Sequence, residues 1–203
     1  MKLYEFGPTR AIRARWTLQE LGVGFEAVTV NLVKGEHTRP EFRSLNPAGK
    51  LPVLVDDDFV LTESVAIVVY LAEKYPRPRL LPDGARERAD LNRWMLFTVT
   101  ELEQPLWRIT RQSAIYPEAE RLPGDIPIAS REFREMASIM ESRMRDRQFL
   151  MGDDVTVGDF VLAYTLDWGN EFKLLDQCPK LVSYMERMYA RPHAPKRIAQ
   201  LRA

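Results

Sequence analysis

The stretch that most constrains this chain covers residues 46–75, NPAGKLPVLVDDDFVLTESVAIVVYLAEKY. Asn-Pro-Ala-Gly is a turn cluster. Residues 51–55 form a short run of strand formers and residues 59–61 a second. Asp56, Asp57 and Asp58 lie between them as a polar hairpin loop. Thr62-Glu63-Ser64 opens a helix with Ser64 as N-cap. Residues 65–71 are nearly all apolar, which predicts burial on most sides of that helix.

Two features of this unit carry chemistry. Pro52 heads a strand, a place proline fills only when the preceding backbone has another use. A cis Leu51–Pro52 bond is expected, with the Leu51 N–H and C=O turned outward for an extended peptide. Glu63 and Ser64 stand at a helix start, where free N–H groups and the helix dipole take a carboxylate and Glu63 takes an ammonium beside it. Together these suit a small peptide with an α-amino-acid end. A hairpin followed by a capped helix accounts for the same residues without a ligand.

The stretch resembles the glutathione-binding half of the soluble glutathione S-transferase family. That family's pattern is NP-x-GKVP-x-L, an acidic turn, then L-x-ES-x-AI-x-x-YL; Leu51 stands for the usual Val and Val65 fills a variable place. The chain looks like a Ser/Thr-type, bacterial-like member. The resemblance implies an α/β thioredoxin-like domain of order βαβαββα, followed by an all-α helical-bundle domain.

The rest of the chain agrees in its patterning. Strands are expected at 2–6 and 25–30, and a helix at 10–21 with the apolar stripe Ala11, Ala14, Leu18 and Leu21. Ile12 and Trp16 lie opposite that stripe, so this helix contacts neighbours on both faces. Residues 40–45 form a short helix with Pro40 in its first turn. Residues 76–82, PRPRLLP, are the clearest linker, since three prolines in seven residues end a helix. The expected division is a first domain at 1–77, a linker at 78–85 and a helical domain at 86–203. In the latter a helix at 85–104 is kinked by Pro105 and resumes to Ile115, and 116–127 is a loop. Further helices are expected at 128–149, 160–170, 180–191 and 195–201. Thr156 and Asp159 have capping-box spacing.

Composition excludes several classes. Lys plus Arg and Asp plus Glu both number 29, so zero net charge offers no electrostatic case for nucleic acid or an anionic membrane. The single cysteine, Cys178, rules out a disulfide framework and a CxxC motif, and fits a reducing, cytoplasmic setting. The start, MKLYEFGPTR, has no apolar signal core. His37 and His193 are isolated, so no metal site is expected.

Glutathione chemistry needs a thiolate, and a free thiol with a pKa of roughly 8.5 is mostly protonated at neutral pH. A well-placed hydroxyl stabilises the charged form. PTRAIRARWTLQELG resembles the family's SRS-x-R-x-x-W-x-LEELG, in which Thr9 matches the first Ser and Ala11 the second. Thr9 is therefore the expected thiolate partner, Tyr4 the rival donor and Arg10 an electrostatic helper. GEHTRPEF resembles GEH-x-x-PEF, which assigns His37 and Lys50 to the glycyl carboxylate. By the same resemblance Leu51, before Pro52, serves the cysteinyl backbone, and Glu63 and Ser64 serve the γ-glutamyl end. Trp107, Arg108, Arg111 and Tyr116 are candidates for the electrophile pocket.

The implied function is glutathione conjugation in detoxification by a homodimer, with glutathione as co-substrate. Two other functions remain open: glutathione-dependent reduction of a disulfide or peroxide, and a non-catalytic stress or regulatory binding protein.

Overall fold

The computed structural model describes residues 1–202. The chain groups into two compact units, Met1–Leu81 together with the chain from Tyr189 onward, and Pro82–Met188. The expected helical domain at 86–203 thus loses its last segment to the first unit. That segment meets the first helix through the Tyr189 ring, its centroid 4.9 Å from that of Trp16, and through Arg191, which donates from Nε and Nη2 to the Glu20 carboxylate, each at 2.8 Å.

In the first unit the order is β1 (Lys2–Glu5), α1 (Ala11–Glu20), β2 (Glu26–Thr29), α2 (Pro40–Leu45), β3 (Val53–Asp56), β4 (Phe59–Thr62) and α3 (Ser64–Lys74). This is the βαβαββα order expected. The sheet runs β2-β1-β3-β4, with β1 parallel to β2 and antiparallel to β3, and β3 antiparallel to β4. Tyr4 lies opposite Val53, and Leu3 opposite Leu54. The strand period of two sends these pairs to opposite faces. Tyr4 and Val53 join Phe42, Leu51 and Val30 on the α2 side. Leu3 and Leu54 are wholly buried on the other side, where α1 and α3 pack together.

Asp56 belongs to β3, paired with Phe59 on β4, and its carboxylate accepts from Tyr70 and Lys74 on α3; the turn is Asp57 and Asp58 alone. Helix α3 is buried on one side only. Ile67, Val68, Leu71 and Ala72 are covered, but Ala66 is exposed and Val65, Val69 and Tyr70 are half-buried. The apolar run therefore overstated what the first unit alone covers.

The second unit is helical: α4 (Ala85–Phe97), α5 (Glu103–Thr110), α6 (Asp125–Arg143), α7 (Val157–Glu171) and α8 (Pro179–Tyr189), with α9 (Ile198–Arg202) in the returning segment. A π-turn, Thr98–Leu102, joins α4 to α5, so the run passes through Pro105 without a break. Pro105 has no N–H for the carbonyl one turn back, and the wider turn just before it, where the Glu103 N–H bonds the Thr98 carbonyl, absorbs that mismatch.

Helix α6 also departs from its expected span of 128–149. It starts at Asp125 with Pro127 inside the first turn, where a missing N–H costs nothing. It stops at Arg143 and a turn follows; beyond it Phe149 and Gly152 bond each other and the Leu150 N–H goes to Asp159. Helix α7 is buried without interruption from Val157 to Gly169. Its capping box is formed as expected, with the Thr156 N–H donating to Asp159 Oδ2 at 2.7 Å. Among the described residues no helix is long and apolar enough to cross a membrane.

Candidate functional site

The head of α3 is the centre of the candidate site in the first unit. Glu63, not Ser64, occupies the cap position, with φ 67° and ψ 112°. A non-glycine residue in that sparsely populated region costs roughly 1–3 kcal/mol and persists where surrounding structure holds it. Ser64 is the first helical residue and is buried, and its Oγ accepts a hydrogen bond from Arg13 Nη1 at 3.0 Å. Arg13 lies on α1 with no exposed surface. The Ser64 hydroxyl is thus engaged by a cation, and Ser64, lying inside the helix, does not cap it. The first intrahelical bond runs from the Ile67 N–H to the Glu63 carbonyl. The N–H groups of Ser64, Val65 and Ala66 precede it and point from a helix start, the arrangement that receives a carboxylate.

The loop before β3 is braced from within. Asn46 is buried; its Nδ2 donates to the Lys50 carbonyl at 2.8 Å and its Oδ1 accepts from the Ala48 N–H at 3.1 Å. Gly49 has φ 64°, and a Cβ there would lie 3.1 Å from the His37 carbonyl oxygen. Glycine lets this loop close against the 3₁₀ turn Glu36–Thr38, bringing His37 and Lys50 onto adjoining turns. The Lys50 side chain is exposed, while His37 Nδ1 is buried with no hydrogen-bond partner among the described residues. The Leu51–Pro52 bond is cis, as expected, and a second cis bond, Arg77–Pro78, was not anticipated.

Thr9 sits at the approach to α1. Its Oγ1 accepts from the Ala11 N–H at 3.3 Å, and its carbonyl accepts from Ile12 at 3.1 Å. It therefore serves the helix start as an acceptor, which leaves its O–H hydrogen for another partner. Arg10 takes the cap position itself, in helical conformation. The Tyr4 ring packs into the apolar cluster, 6.2 Å from the Phe42 ring.

In the second unit three of the four pocket candidates come together. The Arg111 guanidinium carbon lies 5.8 Å from the ring centroids of both Trp107 and Tyr116. Arg108 faces elsewhere: it pairs with Asp125 and Glu132 on α6, and Asp125 above all raises its pKa. Asp125 is held below the usual carboxylate range by the same contact. Among the described residues no group of three or more His, Cys, Asp or Glu is placed to hold a metal ion.

Sequence reasoning missed Arg13 and Trp168. Arg13 lies one helical turn after Thr9 within the matched segment, and the helical period was the signal that could have found it. Trp168 stands edge-on to Trp107, ring centroids 6.4 Å apart, from a different helix. No local pattern pointed to that contact.

The family profile described as "Glutathione S-transferase, N-terminal domain" matches residues 1–73, and "Glutathione S-transferase, C-terminal domain" matches residues 109–192. Glutathione S-transferase F10 of Arabidopsis thaliana is 36% identical over 72% of this chain and 70% of its own. Glutathione S-transferase 1 of Dianthus caryophyllus is 38% identical over 80% of this chain and 74% of its own. The crystal structure of a theta class glutathione S-transferase from Xanthomonas axonopodis pv. citri, with glutathione bound, superposes with a TM-score of 0.83. It shares 29% identity and covers 95% of this chain and 94% of that one.

Proposed function

The chain belongs to the glutathione S-transferase family, and from that premise we propose that it is a glutathione transferase that binds glutathione, stabilises its thiolate and transfers the sulfur to a small electrophile. The observation that carries this reading is the head of α3, where Ser64 is buried against Arg13 and three N–H groups precede the first helical bond. Glu63 and Ser64 take the γ-glutamyl end. The Leu51 backbone beside Pro52 pairs with the cysteinyl residue, and His37 and Lys50 meet the glycyl carboxylate.

Thr9 donates its O–H to the thiolate, with Arg10 adding positive charge. The packing of Tyr4 against Phe42 favours Thr9 over Tyr4 as that donor. Trp107, Arg111 and Tyr116 line the electrophile side. Arg108, already paired with two carboxylates, holds α6 against α5.

The working form is a homodimer, supported by the exposed Phe59 and Val60 on the sheet-edge strand β4 and the uncovered Ala66 of α3. A reducing, cytoplasmic setting is supported by the single cysteine, Cys178, which is free and buried. Calorimetry with glutathione, followed by turnover with a panel of electrophiles, disulfides and peroxides, tests the reading. Absence of glutathione binding at millimolar ligand overturns it, and turnover confined to disulfides or peroxides replaces conjugation with reduction.

A further inference from the structure

Two arginines three positions apart in the second unit have opposite surroundings. Arg108 is neutralised by Asp125 and Glu132. Arg111 forms no ion pair with a carboxylate among the described residues, and its buried Nε has no hydrogen-bond partner there. Asp125 feels the Arg111 charge but is bonded by Arg108. What Arg111 has instead is aromatic: the faces of Trp107 and Tyr116, and a bond from its Nη1 to the Tyr116 hydroxyl at 3.2 Å.

The backbone builds this arrangement. Trp107 lies one turn before Arg111. The π-turn Arg111–Ile115 closes with the Tyr116 N–H on the Arg111 carbonyl at 2.9 Å, returning Tyr116 to the same guanidinium. Such widened turns recur at functional sites. Trp107 is in turn backed by Trp168, whose Nε1 donates to Thr110 Oγ1 at 3.2 Å. The aromatic walls are braced, while the cation between them has Asp125 nearby but, among the described residues, no carboxylate in direct contact.

A half-buried guanidinium has lost part of its hydration, and ring faces replace only some of it. A carboxylate replaces the rest through two parallel charge-assisted bonds, which the planar fork of arginine matches. An aromatic ring on the same molecule can stack against the indole. We propose that Trp107, Arg111 and Tyr116 form a subsite for an aromatic carboxylate, so that the preferred electrophile is a planar arene bearing a carboxylate as well as its leaving group. In the reaction the glutathione thiolate attacks the ring carbon that carries the halide. The C–S bond forms, the carbon–halogen bond breaks, the halide leaves with the bonding pair and the carboxylate stays unchanged on Arg111. The chemistry rests on the transferase reading; the binding does not.

The test compares a chlorodinitrobenzoate with neutral chlorodinitrobenzene as electrophiles, using the full chain. The benzoate is expected to have the lower KM. Arg111→Gln should shift the ratio of the two KM values by about tenfold or more against the benzoate. Arg111→Lys, which keeps the charge and loses the fork, should fall between. Arg145→Gln, removing an exposed arginine in the turn beyond the end of α6, should leave the ratio unchanged.

A second readout needs no glutathione: quenching of tryptophan fluorescence by unreactive dinitrobenzoate should weaken about tenfold in Arg111→Gln. Quenching that depends on Arg111 in a protein turning over neither electrophile upholds the subsite and sinks the transferase reading. Turnover of both electrophiles, with the same KM ratio and superimposable quenching in parent and Arg111→Gln, sinks the subsite alone. Should Arg111→Gln fail to fold, Arg111→Lys decides by the same two readouts.

Discussion

Arg13 on α1 reaches Ser64 at the head of α3 and donates to its hydroxyl at 3.0 Å, a bond between residues 51 positions apart. It ties the helix that Thr9 precedes to the helix start proposed to receive the γ-glutamyl group. Arg13→Ala should strand the buried Ser64 hydroxyl and remove a fully buried side chain, costing about 2–4 kcal/mol of stability. Glutathione affinity should fall about tenfold, because Ser64 loses its fixed orientation. Denaturant unfolding and calorimetry read the two effects. Ser64→Ala should weaken glutathione binding by roughly 1.5–3 kcal/mol, and unchanged affinity in both variants would remove this pair from the site.

Thr9→Val should raise the apparent thiol pKa of bound glutathione and lower turnover at neutral pH, by roughly 10²-fold or less for one donor. Binding should change little, since Lys50, Leu51 and Ser64 hold the rest of the tripeptide. Thr9→Ser should be mild and Tyr4→Phe milder still. The measurement is thiolate absorbance of the complex against pH. A shift in Tyr4→Phe with none in Thr9→Val would reverse the two assignments.

The Glu20–Arg191 pair sets an acid limit on the attachment of the terminal segment. Burial alone raises the Glu20 pKa, but the Arg191 hydrogen bonds and charge, together with the Trp16 indole, outweigh it and hold the pKa below the ordinary 4.5. A depressed carboxylate stabilises the fold above its unfolded value and loses that contribution as pH falls through its folded value. Arg191→Gln should therefore be less stable than the parent at neutral pH, by about 1.5–3 kcal/mol. The gap should close on acidification below 4.5, where Glu20 protonates in both proteins. Thermal melts of both across pH check this, and a gap independent of pH contradicts it.

Asp159 should be among the least replaceable residues of the second unit. It is fully buried and accepts from the Leu150 N–H, the Thr156 N–H and hydroxyl, and the Tyr184 hydroxyl. Asp159→Ala strands several donors at about 1–3 kcal/mol each, a large part of an ordinary stability of about 5–15 kcal/mol. Urea unfolding followed by far-UV circular dichroism should show a loss of at least about 3 kcal/mol. A loss under about 1 kcal/mol would mean that water replaces the carboxylate.

Dimerisation through the β4 edge has its own test. Phe59 is 46% exposed and Val60 39%, although both are strand residues of high apolar character. Light scattering at micromolar concentration should give a dimer for the parent and a monomer for Phe59→Glu. A monomeric parent refutes the assembly, and a dimeric Phe59→Glu moves it to another face.

The order βαβαββα, the turn at Asn46 and Gly49 and the capping box at Thr156 and Asp159 were determined by the sequence itself. Each depends on neighbours within a few residues: strand period, proline and glycine dihedrals, a side chain reaching its own backbone. The tertiary structure alone decided which charges are used. Arg13 meets Ser64 across 51 positions, Arg191 meets Glu20 across 171, and Arg108 takes Asp125 while Arg111 does not. Arg108 and Arg111 are the same residue on one helical run, so no local preference separates them. They differ because packing of α6 puts carboxylates beside one, and the π-turn folds an aromatic ring onto the other.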